Sequence, residues 1–153
     1  MNKEIIALLA KDLTKDVPRS PRETLGGYVL GARILDKCRA VLNGTNGEYH
    51  FDCPLDNFLF SFTGIQSDAI KEFIATGATD AAVGEWIQTH ATQRPRAEII
   101  QWNNSLREKR ISELPGEIQE YLEDYIPANL PKSLTNRITV FFDIYDVEEG
   151  RLV

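Results

Sequence analysis

One amphipathic helix pattern in residues 26–56 constrains this chain more than any other feature. Its apolar side chains recur at the spacing that places them on one helical face: Gly31, Ile34, Leu35, Cys38, Val41 and Leu42. The opposite face carries Arg33, Asp36 and Lys37, with Arg39 at its edge. The pattern stops at Asn43-Gly44, a pair that readily adopts the left-handed conformation that ends helices. We therefore predict a helix that ends there and exposes its polar face to solvent.

A short β-hairpin is predicted next, near residues 45–53. Asn46-Gly47 tolerates the positive φ of a tight turn, and the following residues alternate polar and apolar with the period of a strand. The alternation places Glu48, His50 and Asp52 on one face and Tyr49, Phe51 and Cys53 on the other. Pro54 suits the first position of a new helix, which makes Cys53 a candidate N-cap residue with Asp56 three positions on.

The rest of the chain repeats a pattern of capping residues, apolar stripes and glycine or proline stops. The 153 residues, 42% of them hydrophobic and 26% charged, suit one folded domain. We predict a mainly α, single compact domain over residues 1–153, with about seven helices and the one hairpin. Residues 1–19 should form an N-terminal helix and an extended arm packed on the domain. Residues 138–148 fit either a strand or a helix by composition and spacing, and we favour the helix.

Two arginines lie within the segment of residues 16–22, which also contains two prolines, and they admit two interpretations. Arg19 and Arg22 can be an anion clamp. The favoured interpretation is a capping box, in which Ser20 is the N-cap, Pro21 follows it and Glu23 reaches back to the cap.

Charge and composition limit the classes of partner. The net charge of −6 argues against nucleic-acid binding, and no apolar run is long enough to span a membrane. Two cysteines cannot form a disulfide framework, so a reducing cytoplasm is the expected location. No cofactor or metal is expected: Glu48 and Asp52 would lie roughly 13 Å apart on a flat strand, too far to share one ion with His50.

Long motifs carry a resemblance to a known family. The segments PRSPRETLGGYVLGARILDKCRA and GTNGEYHFDCPLD, with the later TGIQSDAIKEFIATGATDAAVGEWI and FFDIYDVEEGR, resemble an uncharacterised bacterial family, domain of unknown function 5069. The resemblance spans nearly the whole chain. It implies a bacterial, cytoplasmic, mostly helical single domain, and it carries no activity or site residue.

Two functions stay open from the residues alone. The favoured one is a non-catalytic cytoplasmic module that binds a protein or an anionic small molecule through the exposed helix face and the hairpin. Its ligand-binding candidates are Arg33, Asp36, Lys37, Arg39 and Tyr49.

The alternative is a small enzyme or thiol-redox protein with Cys53 and His50 as catalytic residues. A helix N-cap position would favour the Cys53 thiolate, whereas burial beside Tyr49 and Phe51 would favour the thiol. Burial is the favoured interpretation. Cys38 lies on the apolar stripe and is predicted to be a core residue.

Overall fold

The computed structural model describes residues 1–151, and the chain divides into two compact units, residues 1–99 and 100–153. The first unit contains α1 (Lys3–Leu9), α2 (Gly31–Asn43), α3 (Pro54–Thr63), α4 (Ser67–Ala75) and α5 (Asp80–His90), and α6 (Arg96–Arg107) begins in it. The second contains α7 (Gly116–Asn129), α8 (Phe141–Glu148) and 3₁₀ helices at Ile111–Glu113 and Lys132–Arg137. The mainly helical prediction is confirmed, and the single domain stays a prediction.

Helix α2 is the central element of the first unit, where it contacts α1, α4 and α5. It ends as predicted, because Gly44 adopts a left-handed φ of 73° and its N–H bonds back to Ala40 and Val41. Every residue from Gly31 to Ala40 is buried, including Cys38, which is confirmed as a core residue. A helix buried all round must satisfy its charged side chains within the protein.

The predicted hairpin is wrong. Residues 45–53 form turns, and none of them lies in a strand in the part of the chain that the structure describes. Gly47 has the positive φ (54°) expected of a tight turn, and Tyr49 N–H bonds to the Asn46 carbonyl within that turn. A positive φ at Asp52 (62°) then interrupts the extended backbone that a strand needs. The alternation nevertheless matches exposure: residues 48, 50 and 52 are exposed, and residues 49, 51 and 53 are half-buried.

One of the two predicted helix starts is confirmed and the other is wrong. Cys53 is the N-cap of α3 with Pro54 in its first turn. The capping box at Ser20 does not start a helix, because residues 21–22 form a turn. In that turn Ser20 accepts bonds from the N–H groups of Arg22 and Glu23.

The second unit has its own apolar core, built from Leu114, Leu122, Leu130, Ile144 and Val147. Its last helix confirms the helical interpretation of residues 138–148 for Phe141–Glu148. The Asp143 carboxylate, in the first turn of α8, accepts bonds from the N–H groups of Thr139 and Val140.

Candidate functional site

The polar face of α2 is not exposed, contrary to the prediction. Arg33, Asp36, Lys37 and Arg39 are only 2 to 5% exposed. Partners from distant parts of the sequence cover them, which the helical spacing alone does not reveal. Ligand binding by these four residues stays a prediction, and their burial argues against it.

Arg19 and Asp80 form ion pairs with the buried charged side chains at one end of this helix face. The Arg19 guanidinium makes a bidentate pair with Asp36, with contacts of 3.1 and 3.0 Å, and also donates to Asp80 at 2.9 Å. Arg39 donates to the other Asp80 oxygen at 2.7 Å and to the Ala78 carbonyl. Arg19 therefore does clamp anions, but the anions are carboxylates of its own chain.

These contacts shift the pKa values of Asp80 and Arg19. Partial burial opposes the charged form of Asp80, but the hydrogen bond from Arg39 and the nearby Arg19 charge outweigh it, so the pKa of Asp80 lies below its ordinary value. Burial likewise opposes the Arg19 cation. The hydrogen bond and charge of Asp36 outweigh that effect and raise the pKa of Arg19.

Arg33 and Tyr49, two of the predicted ligand-binding residues, do lie together. The Arg33 guanidinium carbon is 5.6 Å from the centre of the Tyr49 ring, and the same group donates to the Arg19 carbonyl at 3.2 Å. The cation–π contact holds Tyr49, in the turn after α2, against the helix, and the hydrogen bond ties Arg33 to the segment before α2. Ligand binding by Tyr49 stays a prediction.

On the same buried face of α2, Lys37 lies between a carboxylate and a thiol. Its ammonium donates to Asp56 Oδ1 at 2.6 Å and to Cys53 Sγ at 3.2 Å. The side chain of Asp56 is fully buried and that of Lys37 is 3% exposed, whereas Cys53 is half-buried. A buried cation thus contacts the one cysteine that solvent partly reaches.

The residue before Cys53 has an unusual backbone conformation. Asp52 has a φ of 62°, an uncommon conformation for a residue other than glycine, and such outliers concentrate at functional sites. Hydrogen bonds hold it: Asp52 N–H donates to Asp56 Oδ2, and its carboxylate accepts from Asn57 and Ser67. One oxygen of Asp56 therefore accepts a hydrogen bond from the turn, and the other accepts one from Lys37.

Cys53 lies beside both a helix start and a cation. It is the N-cap residue of α3, and its side chain accepts no hydrogen bond from the helix N–H groups. The Lys37 ammonium lies at hydrogen-bonding distance from the sulfur, and Asp56 shares the same ammonium.

The other thiol and the predicted histidine differ from this arrangement. Burial raises the pKa of Cys38 to about 12, so this core thiol is inert in the folded protein. His50 is exposed, and no hydrogen bond joins it to Cys53 in residues 1–151. Lys37 rather than His50 is the basic group at the sulfur.

A separate cleft lies in the second unit. Its volume is about 670 Å³, and its walls come from the end of α6, the residues that follow it and the segment just before α8. The lining residues are Ser105, Arg107, Glu108, Lys109, Arg110, Glu113, Thr139 and Val140. Three cationic and two carboxylate side chains make it a polar cleft.

Asp56, Arg19 and Asp80 complete these contacts, but the sequence did not identify them as site residues. Asp56 carried a signal, since a carboxylate three residues after a Cys-Pro helix start is placed to act on the cap. Arg19 carried the anion-clamp signal without indicating its partners, and Asp80 carried none, because they are 17 and 44 positions from Asp36 in the chain. Only tertiary structure brings those charges together.

The fold and site define a mainly helical protein with a buried ion-pair network and a lysine-contacted thiol at a helix start. No helix in the described part of the chain is long and apolar enough to cross a membrane. The chain belongs to the family described as domain of unknown function (DUF5069), whose profile matches residues 15–151. That range includes every residue of the Lys37–Asp56–Cys53 cluster. No curated protein matches the chain.

Proposed function

We propose that this protein is a thiol-redox protein in which Cys53 is the reacting nucleophile and Lys37 stabilises its thiolate. The observation that carries the proposal is the 3.2 Å contact between Lys37 Nζ and Cys53 Sγ. Asp56 accepts from the same ammonium at 2.6 Å, so the cation is held beside the sulfur.

The reaction class follows from a partly exposed cysteine that a lysine contacts. The sulfur attacks one sulfur of a low-molecular-weight disulfide, forming a new S–S bond. The old S–S bond breaks and a small thiolate leaves. A peroxide is the other oxidant class of suitable size, because attack on its oxygen needs only access to the sulfur. Both reactions suit a reducing cytoplasm, the location expected from the cysteine content.

A native-state exchange reaction tests the proposal. The Cys38→Ala protein is incubated with oxidised glutathione at neutral pH, and intact mass is followed over time. We expect a single mixed disulfide, mapped to Cys53 and removed by reductant. The matched control is Lys37→Met with Asp56→Asn, which removes both buried charges together and should react several-fold more slowly. If no adduct forms until the protein unfolds, the proposal is wrong.

A second candidate function is the binding of an anionic small molecule in the cleft of the second unit. Ligand sites are commonly concave and about 300–1,000 Å³ in volume, and this cleft falls within that range. Arg107, Lys109 and Arg110 supply cations on its walls. The ligand is then the anionic small molecule predicted from the sequence, but its site is the cleft and not the buried Arg33.

Chemical-shift perturbation by phosphate and citrate tests the second candidate. Saturable shifts confined to the cleft residues and abolished in Arg107→Ala/Arg110→Ala would support it. Shifts that are weak, linear in concentration and spread over the surface would exclude it. Arg96→Ala, an exposed arginine outside the cleft, is the control.

A further inference from the structure

We propose that oxidation of Cys53 by a peroxide joins its sulfur covalently to the side-chain nitrogen of Lys37. This inference rests on the proposed thiol function and adds a specific modification site to it. The two atoms are already 3.2 Å apart. Asp56 holds the lysine at 2.6 Å inside the protein, so the nitrogen stays next to the sulfur.

The first step is the two-electron oxidation of the thiolate by hydrogen peroxide. The sulfur attacks one peroxide oxygen, an S–O bond forms and the O–O bond breaks. The leaving hydroxide takes one proton and becomes water. Sulfur is oxidised, peroxide is reduced, and Cys53 becomes a sulfenic acid.

The second step closes the bridge without further oxidant. Lys37 passes one ammonium proton to the Asp56 carboxylate, and the free amine then attacks Sγ. An N–S bond forms and the S–O bond breaks. The departing hydroxide takes a second proton from nitrogen and leaves as water. The product is a sulfenamide, Lys37 Nζ–H bonded to Cys53 Sγ, beside a neutral Asp56 carboxylic acid.

Asp56 is what allows the lysine charge to disappear. A buried carboxylate that lost its cation would be strongly destabilising. Transfer of the proton to Asp56 removes both buried charges at once. The other Asp56 oxygen still accepts from the Asp52 N–H, so the turn that positions Cys53 is kept.

The same geometry directs the sulfenic acid to the lysine rather than to a second thiol. Cys38 is the chain's other cysteine, and it is fully buried in α2. It follows Lys37 directly, and adjacent helix positions point in different directions. Within one molecule, the Lys37 nitrogen is therefore a side-chain nucleophile that already contacts the sulfur to be oxidised.

Mass spectrometry of the peroxide-treated native protein tests the bridge. The protein is denatured without reductant, alkylated and digested with trypsin. We expect the main Cys53 product to be a pair of peptides joined through Lys37, lighter by two hydrogens than their sum. Trypsin should no longer cleave after Lys37, and dithiothreitol should restore both peptides.

Controls separate this inference from the function on which it rests. Cys53→Ser should give no linked peptide, and Lys37→Arg should still be oxidised at Cys53 but accumulate dimedone-reactive sulfenic acid. In the wild type, oxidised Cys53 without the link would overturn the bridge and leave the thiol function standing. A Cys53 that does not react with peroxide would overturn the bridge, and absence of disulfide exchange as well would overturn the proposed function.

Discussion

Lys37 is the residue that connects stability to the proposed chemistry, because one ammonium pairs with a buried carboxylate and contacts the half-buried Cys53 thiol. Removing one partner of a buried pair leaves the other charge uncompensated in the interior. Buried pairs can be replaced together at much lower cost, since no isolated charge then remains. This contrast gives the first prediction.

Lys37→Met should lower the free energy of unfolding by about 3–5 kcal/mol, because Asp56 is left buried and unpaired. Urea denaturation measures the loss. The double variant Lys37→Met/Asp56→Asn should recover a large part of it. A loss below about 1 kcal/mol in the single variant, the size typical of exposed pairs, would mean that this pair is not buried.

Arg33 provides a second prediction at the residue scale, and it reverses the expectation of an exposed side chain. Arg33→Ala should lower the free energy of unfolding by about 2–4 kcal/mol, because a large buried side chain and its bond to the Arg19 carbonyl are lost. Arg96→Ala, at an exposed position, should stay within about 0.5 kcal/mol. Equal effects in chemical denaturation would contradict the burial of Arg33.

Single residues were predictable where their role is local. Cys38 as a core residue and Cys53 as an N-cap followed from helical spacing and from Pro54. The burial of Arg33, Asp36 and Lys37 did not follow, because helical spacing marks an apolar face and leaves the opposite face to be assumed exposed. Charges from other segments cover that face, and sequence spacing contains no information about them.

At the element scale, the termini of α2 and of the turn after it depend on backbone conformation. Gly44 and Gly47 both have positive φ, but their surroundings differ. A Cβ at Gly44 would meet no atom within 4 Å, whereas one at Gly47 would lie 2.7 Å from the Leu13 carbonyl oxygen. The pair therefore separates conformational strain from steric overlap.

Gly44→Ala should cost about 1–2 kcal/mol, the strain of a left-handed conformation for a residue with a Cβ. Gly47→Ala should cost more, because backbone must move as well. Thermal and urea unfolding of both variants provide the comparison. A larger loss for Gly44→Ala would show that the contact with Leu13 does not fix the turn.

The same turn shows what element-level patterns can and cannot predict. The alternation from Glu48 to Cys53 correctly separates exposed from half-buried residues. It fails as a strand prediction because Asp52 has a positive φ and residues 48–53 lack a pairing strand. By contrast, helix stops at Gly44 and Gly64 were predictable, since both glycines adopt the left-handed conformation the pattern requires.

For the molecule as a whole, the arginine–aspartate network makes stability depend on pH in a defined direction. The folded pKa of Asp80 lies below its ordinary 3.8, since Arg39 and Arg19 outweigh the effect of burial. The unfolded chain therefore takes up the proton first as pH falls. Stability from ionised Asp80 is present above about pH 3.8 and is lost as pH drops through the folded pKa.

Asp80→Asn should accordingly be less stable than wild type near neutral pH, and the difference should shrink in acid. Urea midpoints at about pH 6 and about pH 3 measure it. Asp124→Asn, an exposed carboxylate on α7, should show no such change. A difference that grows on acidification would contradict the sign of the Asp80 shift.

The most direct test of the account is the rate at which iodoacetamide alkylates Cys53 in the folded Cys38→Ala protein, with and without the Lys37 ammonium. The comparison variant is Lys37→Met/Asp56→Asn, checked for native circular dichroism, and Lys37→Arg is the charge-retaining control. We expect alkylation of the lysine-containing protein to be about tenfold faster near neutral pH. The two rates should converge at high pH, where the Cys53 thiol is ionised in each protein. Equal rates at neutral pH, or labelling that occurs only on unfolding, would contradict the claim that Lys37 makes Cys53 a reactive thiol.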